Sequence, residues 1–189
     1  MISYIIIYFA AYSVFGWVYE TALCSIREKK AVNRGFLNGP YCPIYGVGAV
    51  IFLALLKNEG SELIIFIFGG IIASAVEYLT SFAMEKLFDA RWWDYSSYPF
   101  NLNGRVCLAA SVVFGIFAVA LLKVIHPFVK KVILSIPHVL IIALAGAFTV
   151  AFILDLFITL QGIGDMNGAL SRQEKRLLKA FPTLNEKRK

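Results

Sequence analysis

Charge and cysteine are both scarce in this chain of 189 residues, of which 16% are charged, 59% are hydrophobic and three are cysteines. A soluble domain has about a quarter of its residues charged, so this composition excludes a soluble enzyme. Three cysteines cannot crosslink a chain of this length, which excludes a disulfide scaffold. The apolar excess is too large for the core of a domain of this size and points to a membrane.

Long runs with few or no charges account for this excess. Runs of roughly 17–25 apolar residues are long enough to span the hydrocarbon layer of a bilayer. They predict an all-α, polytopic membrane helix bundle with about five transmembrane helices, at residues 2–26, 41–56, 62–88, 105–123 and 135–160. The first run lacks the basic leading segment of a cleaved signal peptide, so we expect a retained helix.

The 18 lysines and arginines predict the orientation of the bundle. Most of them follow the first and third runs or lie in the tail, and the basic side of a membrane protein is cytoplasmic. We therefore expect a multi-pass protein of the cell membrane with its N-terminus outside and its C-terminus in the cytoplasm. The net charge of +6 then describes a surface that faces anionic lipid, which predicts membrane lipids as partners and no nucleic acid.

The sequence divides into a transmembrane helical bundle, residues 1–160, and a basic cytoplasmic tail, residues 161–189. Within the tail, Ser171 and Glu174 match the S-x-x-E capping box that begins many helices. Apolar residues follow at helical spacing among basic ones. This pattern predicts a short amphipathic helix on the inner leaflet.

One short pattern, L-N-G-x-x-C, occurs twice, at Leu37–Cys42 and at Leu102–Cys107. Each copy precedes an apolar run and follows a run with one acid in its interior, Glu20 or Glu77. Two helix pairs running in the same direction would form a parallel repeat. Chance similarity between two loops is the alternative. In both copies Asn-Gly is expected to break the chain just before a helix begins.

Three acids interrupt otherwise apolar runs, namely Glu20, Glu77 and Asp155. The predicted topology places all three at a similar depth in the cytoplasmic half of the membrane. An acid at mid-depth costs at least about 2.5 kcal/mol to insert, so it usually faces the bundle interior and has a partner or a function. We expect the three acids to converge on one polar recess open to the cytoplasm. Separate structural pairing of each acid is the alternative.

Further polar and aromatic residues flank the predicted recess. The candidates for substrate binding or proton relay are the three acids together with Arg34, Asn38, Asp94, Asn103 and Arg105, and the candidates for aromatic recognition are Trp92, Trp93 and Tyr95. An interfacial aromatic belt is the alternative for the aromatic group. The cysteines lack zinc-site spacing and the chain has no nucleotide-binding P-loop, so we predict no metal and no cofactor. No catalytic residue is assigned.

Several of these residues resemble the motifs of a known family, the bacterial CmpB-like proteins, which are labelled type IV ABC-transporter permeases. The similar segments are Phe15–Thr21, Asn33–Gly46, Trp93–Ser96 and Asn103–Leu108. The resemblance extends over roughly residues 8–125. It implies a multi-span membrane protein in which Glu20, Arg34, Glu77, Asp94 and Arg105 are the positions of interest.

Three functions fit these observations. The first is a transporter or permease component with a cytoplasm-facing polar site lined by intramembrane carboxylates. Five helices make a small pathway, so this function calls for a separate ATPase subunit or a homodimer. The second is an intramembrane enzyme that acts on a lipid or isoprenoid-type substrate at the cytoplasmic leaflet, and the third is a small membrane scaffold or regulator. Whether the chain is an enzyme stays open at this point.

Overall fold

A computed structural model of the chain describes residues 1–30, 35–88 and 91–180, and side chains throughout these ranges except at 27–28 and 163–180. The helices are α1 (Ile2–Glu28), α2 (Pro43–Leu55), α3 (Glu62–Phe88), α4 (Leu108–Ala120), α5 (His126–Leu134) and α6 (His138–Ala180), with a π-helical segment (Leu121–Ile125) and two short strands, β1 (Asn101–Leu102) and β2 (Val106–Cys107). The predicted all-α helix bundle is confirmed.

Four helical stretches in the described part of the chain are long and apolar enough to cross a membrane: Ile2–Ile26, Glu62–Phe88, Leu108–Leu134 and His138–Gly162. The protein is therefore a multi-pass membrane protein. The remaining apolar helix, α2, has 13 residues and is about 20 Å long, against a hydrocarbon layer of about 30 Å. It is shorter than the predicted run because the backbone of Cys42 is extended and Pro43 begins the helix.

The helix that starts with α4 continues beyond residue 123, where the fourth run was predicted to end. Pro127 lacks an N–H group, and in a regular helix its ring would clash with the carbonyl of Lys123. The π-helical segment removes this conflict by a change of hydrogen-bond partner, since His126 N–H donates to the carbonyl of Leu121, five residues back. Lys130 and Lys131, which the sequence predicted in a connection, consequently lie on α5.

Helices pack in two pairs, α1 with α2 and α3 with α4, and glycine permits both close approaches. A Cβ atom on Gly46 of α2 would overlap Ser13 Oγ and lie 2.6 Å from the carbonyl oxygen of Phe9, both on α1. A Cβ atom on Gly70 of α3 would lie 2.8 Å from the carbonyl oxygen of Ser111 on α4. Small residues at such crossings let two membrane helices approach closely.

Two apolar clusters join the pairs. One contains Phe52, Leu56, Ile65, Ala118 and Leu122 and lies where α2, α3 and α4 meet. The other contains Tyr12, Ala49, Val129, Ile133 and Ile141 and lies where α5 and α6 meet α1 and α2. The π-helical segment thus separates a part of the helix that packs on α3 from a part that packs on α1.

Polar contacts reinforce the same junctions at the end of the bundle where α3 begins. The Tyr12 hydroxyl and His126 Nδ1 form a hydrogen bond of 2.8 Å between α1 and α5. Lys123 Nζ donates to the backbone carbonyls of Glu59, at 3.0 Å, and Gly60, at 3.1 Å. The turn between α2 and α3 is therefore held by the π-helical segment.

The backbone of α6 is helical as far as Ala180. The side chains of residues 163–180 and all of residues 181–189 lie outside the described residues. The division at residue 160 and the lipid-bound amphipathic tail with Ser171 and Glu174 stay predictions.

Candidate functional site

Tyr45 on α2 reaches the first intramembrane acid. Its hydroxyl donates a hydrogen bond to Oε1 of Glu20 on α1. The contact depends on Gly16, one turn earlier on α1, because a Cβ atom there would overlap the Tyr45 ring. The missing side chain at residue 16 therefore lets the phenol approach the helix that carries the acid.

Tyr95 reaches the second intramembrane acid from residues 91–107, which we call the second connection. Its hydroxyl donates to Glu77 Oε1 at 3.0 Å. Glu77 is only 7% exposed, and its other carboxylate oxygen, Oε2, is buried without a hydrogen-bond partner. An ionised carboxylate held in this way is costly, because one phenol replaces only part of its lost hydration.

The charges of both Glu20 and Glu77 act on Tyr95, and we call these two acids the acid pair. Burial raises the pKa of Tyr95, and the negative charges of Glu77 and, more weakly, of Glu20 raise it further. One phenol therefore experiences the charges of both acids. The sequence predicted both acids and Tyr95 as site residues. Tyr45 was missed, and nothing in the sequence marked it beyond its place in the similar segment Asn33–Gly46.

Asp155 on α6 is bound by residues 35–42, the described part of the segment after α1, which we call the first connection. Its Oδ1 accepts from the Asn38 backbone N–H at 3.2 Å and from Asn38 Nδ2 at 2.9 Å. Its Oδ2 accepts from the Gly39 N–H at 2.8 Å and from the Tyr41 hydroxyl at 2.6 Å. Burial, followed by this hydrogen bond to Asp155, raises the pKa of Tyr41.

The contacts of the described residues do not join Asp155 to the acid pair. Its partners lie in the first connection and, through Thr159, one turn away on α6. Asp155 is thus held by other residues than those that contact Glu20 and Glu77. The convergence of all three acids on one recess stays a prediction.

Arg105 is buried in the second connection, at 8% exposure. Its guanidinium forms an ion pair with Glu85 near the end of α3, and NH1 donates to Ser81 Oγ at 3.3 Å. The same group lies over the rings of Tyr78 and Phe82. The sequence predicted Arg105 at the rim of the recess, and in the structure its acidic partner is Glu85. Nothing in the sequence marked this pairing.

Other candidate residues brace the second connection. Arg91 pairs with Glu85 at 3.0 Å, and its NH1 donates to the carbonyl of Asn103 at 3.4 Å. Asn103 Nδ2 donates to the Tyr78 hydroxyl at 2.9 Å. Trp93 Nε1 donates to the carbonyl of Arg105 at 3.0 Å. These contacts fasten β1 and β2 to α3.

Asp94 stabilises a local turn. Its Oδ1 accepts from the Ser96 hydroxyl and from the Ser96 N–H. These hydrogen bonds, first the side-chain one and then the backbone one, hold the pKa of Asp94 below its usual value. Asp94 is exposed, so its described contacts belong to the shape of the second connection.

Of the remaining predicted residues, the structure describes Trp92 but not Arg34. Trp92 packs edge-on against Phe36 of the first connection and Phe88 of α3, so it joins the two connections. Arg34 lies outside the described residues. In the part of the chain that the structure describes, no group of three or more His, Cys, Asp or Glu side chains could hold a metal ion.

Long apolar helices, two tight helix pairs and a buried acid on α3 define a multi-pass helical membrane protein. A family model described as "Putative ABC-transporter type IV", ABC_trans_CmpB, matches residues 7–160. The chain belongs to this family, and the resemblance seen in the sequence is confirmed. Comparisons with curated proteins and with solved structures give no match.

Proposed function

We propose that this ABC-transporter-related membrane protein is a permease component whose polar site is lined by the acid pair and faces the cytoplasm. One observation carries the proposal: Glu77 is buried within a membrane-spanning helix, with one carboxylate oxygen free of hydrogen-bond partners. Acids are rarely kept inside a membrane helix without a function, because their insertion is costly.

The orientation of the proposed site follows from the charges around it. Glu20 and Glu77 lie nearer the C-terminal ends of α1 and α3 than their starts. Basic residues follow both ends, including Lys29 and Lys30 after α1 and Arg91 after α3. Under the positive-inside rule this face is cytoplasmic, with the N-terminus outside and the tail inside.

A parallel repeat of two helix pairs is part of the proposal. The two L-N-G-x-x-C copies support it, because Cys42 caps the start of α2 and Cys107 caps the start of α4, both in extended backbone. Ser13 lies seven residues before Glu20 on α1, and Gly70 lies seven residues before Glu77 on α3. Ser13 and Gly70 are therefore equivalent positions in the proposed repeat.

The helix crossings support the same correspondence. Gly46 on α2 lies four residues after Cys42, and Ser111 on α4 lies four residues after Cys107. Gly46 and Ser111 are therefore equivalent positions as well. Ser13 meets Gly46 at one crossing, and Gly70 meets Ser111 at the other. Each crossing therefore joins a glycine to a serine at equivalent positions. The glycine lies on the second helix of the first pair and on the first helix of the second pair. An acid follows seven residues further along α1 and along α3.

A permease of the ABC class works with an ATPase, and this chain has no P-loop of its own. We propose that a separate ATPase subunit docks on the cytoplasmic connections, and that a second copy of the chain completes the pathway. The matched family is consistent with such a partner.

Purification of the full chain from its native membrane tests this proposal. We expect an ATPase to co-purify, and we expect Glu20→Gln and Glu77→Gln to retain that ATPase while losing the cellular function of the complex. Glu62→Gln is the matched control, because Glu62 is an exposed acid at the other end of α3. A chain that binds no ATPase and functions normally with both glutamines would be the predicted scaffold, and the proposal would fail.

A further inference from the structure

One part of the second connection, residues 98–102, exposes large apolar side chains outside the membrane-spanning helices. We call these five residues the apolar loop. Phe100 is 82% exposed and Leu102 is 59% exposed. Tyr98 is exposed as well, and its ring packs edge-on against Tyr95. Neighbouring apolar side chains exposed in this way mark a surface that binds a protein or a membrane.

The exposure of Phe100 is a fixed feature of the fold. Its backbone φ angle is 52°, in the left-handed region that a bulky residue rarely adopts. The Phe100 carbonyl accepts a hydrogen bond from the Leu108 N–H at 3.1 Å. In the next residue, Asn101 Nδ2 donates to the Tyr98 carbonyl at 2.8 Å, and Oδ1 accepts from the Gly104 N–H at 3.0 Å. Backbone strain persists where surrounding contacts enforce it, and it is concentrated at functional positions.

The apolar loop lies directly beside the start of a membrane-spanning helix. Leu108, whose N–H binds the Phe100 carbonyl, is the first residue of the apolar stretch Leu108–Leu134. This stretch has 27 residues and is about 40 Å long, against a hydrocarbon layer of about 30 Å. Its ends therefore reach the headgroup layers, and Phe100 lies at that level of the membrane.

The apolar loop also continues a lipid-facing surface of α4. Leu108, Val112 and Ile116 are all exposed and recur every four residues, so they share one face of the helix. Lipid covers an exposed apolar face of a membrane-spanning helix. Phe100 joins this surface at Leu108, through the hydrogen bond between their backbones. This continuity favours lipid over a water-soluble partner as the cover of the apolar loop.

We propose that the apolar loop is a membrane anchor, which inserts Phe100 and Leu102 into the leaflet on the side where α4 begins. Its ligand is the lipid surface, with acyl chains against these two side chains and headgroups around the Tyr98 hydroxyl. Aromatic rings with a polar end are typical of this boundary. The inference goes beyond the proposed function and does not depend on the acid pair. In the orientation proposed above, the leaflet is the cytoplasmic one.

The anchor differs from the aromatic belt that the sequence offered as an alternative. Trp93 Nε1 donates to the carbonyl of Arg105, and the Tyr95 hydroxyl donates to Glu77. The polar ends of both side chains are therefore used within the protein, whereas a belt residue directs its polar end to headgroups or water. The exposed residues that follow them, at 98–102, provide the contact with lipid.

The test measures the depth of single side chains by spin labelling of the full chain in nanodiscs of phosphatidylethanolamine and phosphatidylglycerol. The three native cysteines are replaced by alanine, and a nitroxide is attached to Phe100→Cys or to Leu102→Cys. We expect both labels to lie about 5–10 Å below the headgroup surface, where they collide more with oxygen than with a water-soluble nickel chelate. Ser97→Cys is the matched control, because Ser97 is an exposed polar residue of the same connection. Its label should be accessible to the chelate.

A second variant tests the anchor without removing the loop. Phe100→Asn is expected to fold, because asparagine tolerates the left-handed backbone better than phenylalanine does. It lacks the apolar ring, so the label at residue 102 should move toward water and become accessible to the chelate. Ser97→Asn should leave that label unchanged.

Two results would overturn the inference. Labels at residues 100 and 102 that are accessible to the chelate in the otherwise unchanged chain would place the apolar loop in water. Labels that neither oxygen nor the chelate reaches would place it under protein, such as a second copy of the chain or an ATPase subunit. An unchanged depth of the label at residue 102 in Phe100→Asn would also contradict an anchor that depends on the Phe100 ring.

Discussion

The first and second connections share the pattern L-N-G-x-x-C but are stabilised in different ways. The first is held from outside its helix pair, because the Asp155 carboxylate on α6 binds Asn38, Gly39 and Tyr41. The second is held from within its pair, because Arg105 reaches Glu85 on α3. The shared pattern fixes where each following helix begins, and the surrounding helices fix the connection itself.

Backbone geometry differs in the same way. In the second copy, Asn103 and Gly104 have positive φ values of 55° and 68°, and Arg105 N–H donates to the Leu102 carbonyl at 3.0 Å. These features are typical of a tight Asn-Gly hairpin turn. Among the described residues, Asn38 and Gly39 have no positive φ, so identical residues adopt another backbone where α6 binds them.

Arg105→Ala is expected to have the largest effect on this comparison. It removes a buried guanidinium that pairs with Glu85, and we expect the melting temperature in detergent to fall by about 5 °C or more. Arg91→Ala is the matched control, because Arg91 pairs with the same acid but its side chain is 36% exposed, against 10% for Arg105. Exposed pairs contribute little. Equal falls for the two variants would contradict a second connection held by its buried arginine.

Gly46→Ala and Gly70→Ala test whether the two helix pairs cross in equivalent ways. Each new Cβ atom would meet backbone of the partner helix, at 2.6 Å for residue 46 and at 2.8 Å for residue 70. Overpacking of this kind costs about 1–3 kcal/mol, and we expect thermal unfolding to report similar losses for both variants.

The matched control for both variants is Gly48→Ala on α2, where a Cβ atom would have no neighbour within 4 Å. We expect no loss of stability there, because alanine favours a helix more than glycine does. If the variant at residue 46 were tolerated and the variant at residue 70 were not, the two crossings would not be equivalent and the parallel repeat would lose its main support.

Asp155→Asn is expected to have the smallest effect on overall stability and a local effect on the first connection. Cys42 and Cys107 are both buried and serve as native reporters once Cys24 is replaced by Ser. Loss of charge-assisted hydrogen bonds to Asn38 and Gly39 should speed thiol labelling of Cys42 about tenfold and leave Cys107 unchanged. Arg105→Ala should give the reverse pattern. Labelling of both cysteines in both variants would show that the connections open together.

Much of the fold was predictable because long apolar runs such as 62–88 have one stable structure in a membrane, the helix. The shortening of α2 and the continuation of α4 into α5 were not predicted. Both depend on single residues, since Pro43 begins a helix and Pro127 is tolerated only with the π-helical segment before it. Hydropathy averaged over a run does not resolve such local bonding.

The candidate site was predictable in part. Glu20 is the one charge in residues 2–26, and Glu77 is the one charge in residues 63–84. Both stood out because an acid is costly to insert into a membrane. The partners of Asp155 and Arg105 could not be predicted, because Asn38 and Asp155 meet only after α6 has packed on α1. Likewise, Glu85 and Arg105 meet only after the hairpin has folded back. Partners so distant along the chain are set by tertiary packing.

Lys123 has a consequence for the order in which the protein is assembled during synthesis. The turn between α2 and α3 leaves the ribosome well before Lys123, the residue whose ammonium group binds the carbonyls of Glu59 and Gly60. Until the helix that carries Lys123 has entered the membrane, these two carbonyls lack that donor. The first three helices can therefore be inserted early, but the turn between the second and third is fixed only when the fourth arrives.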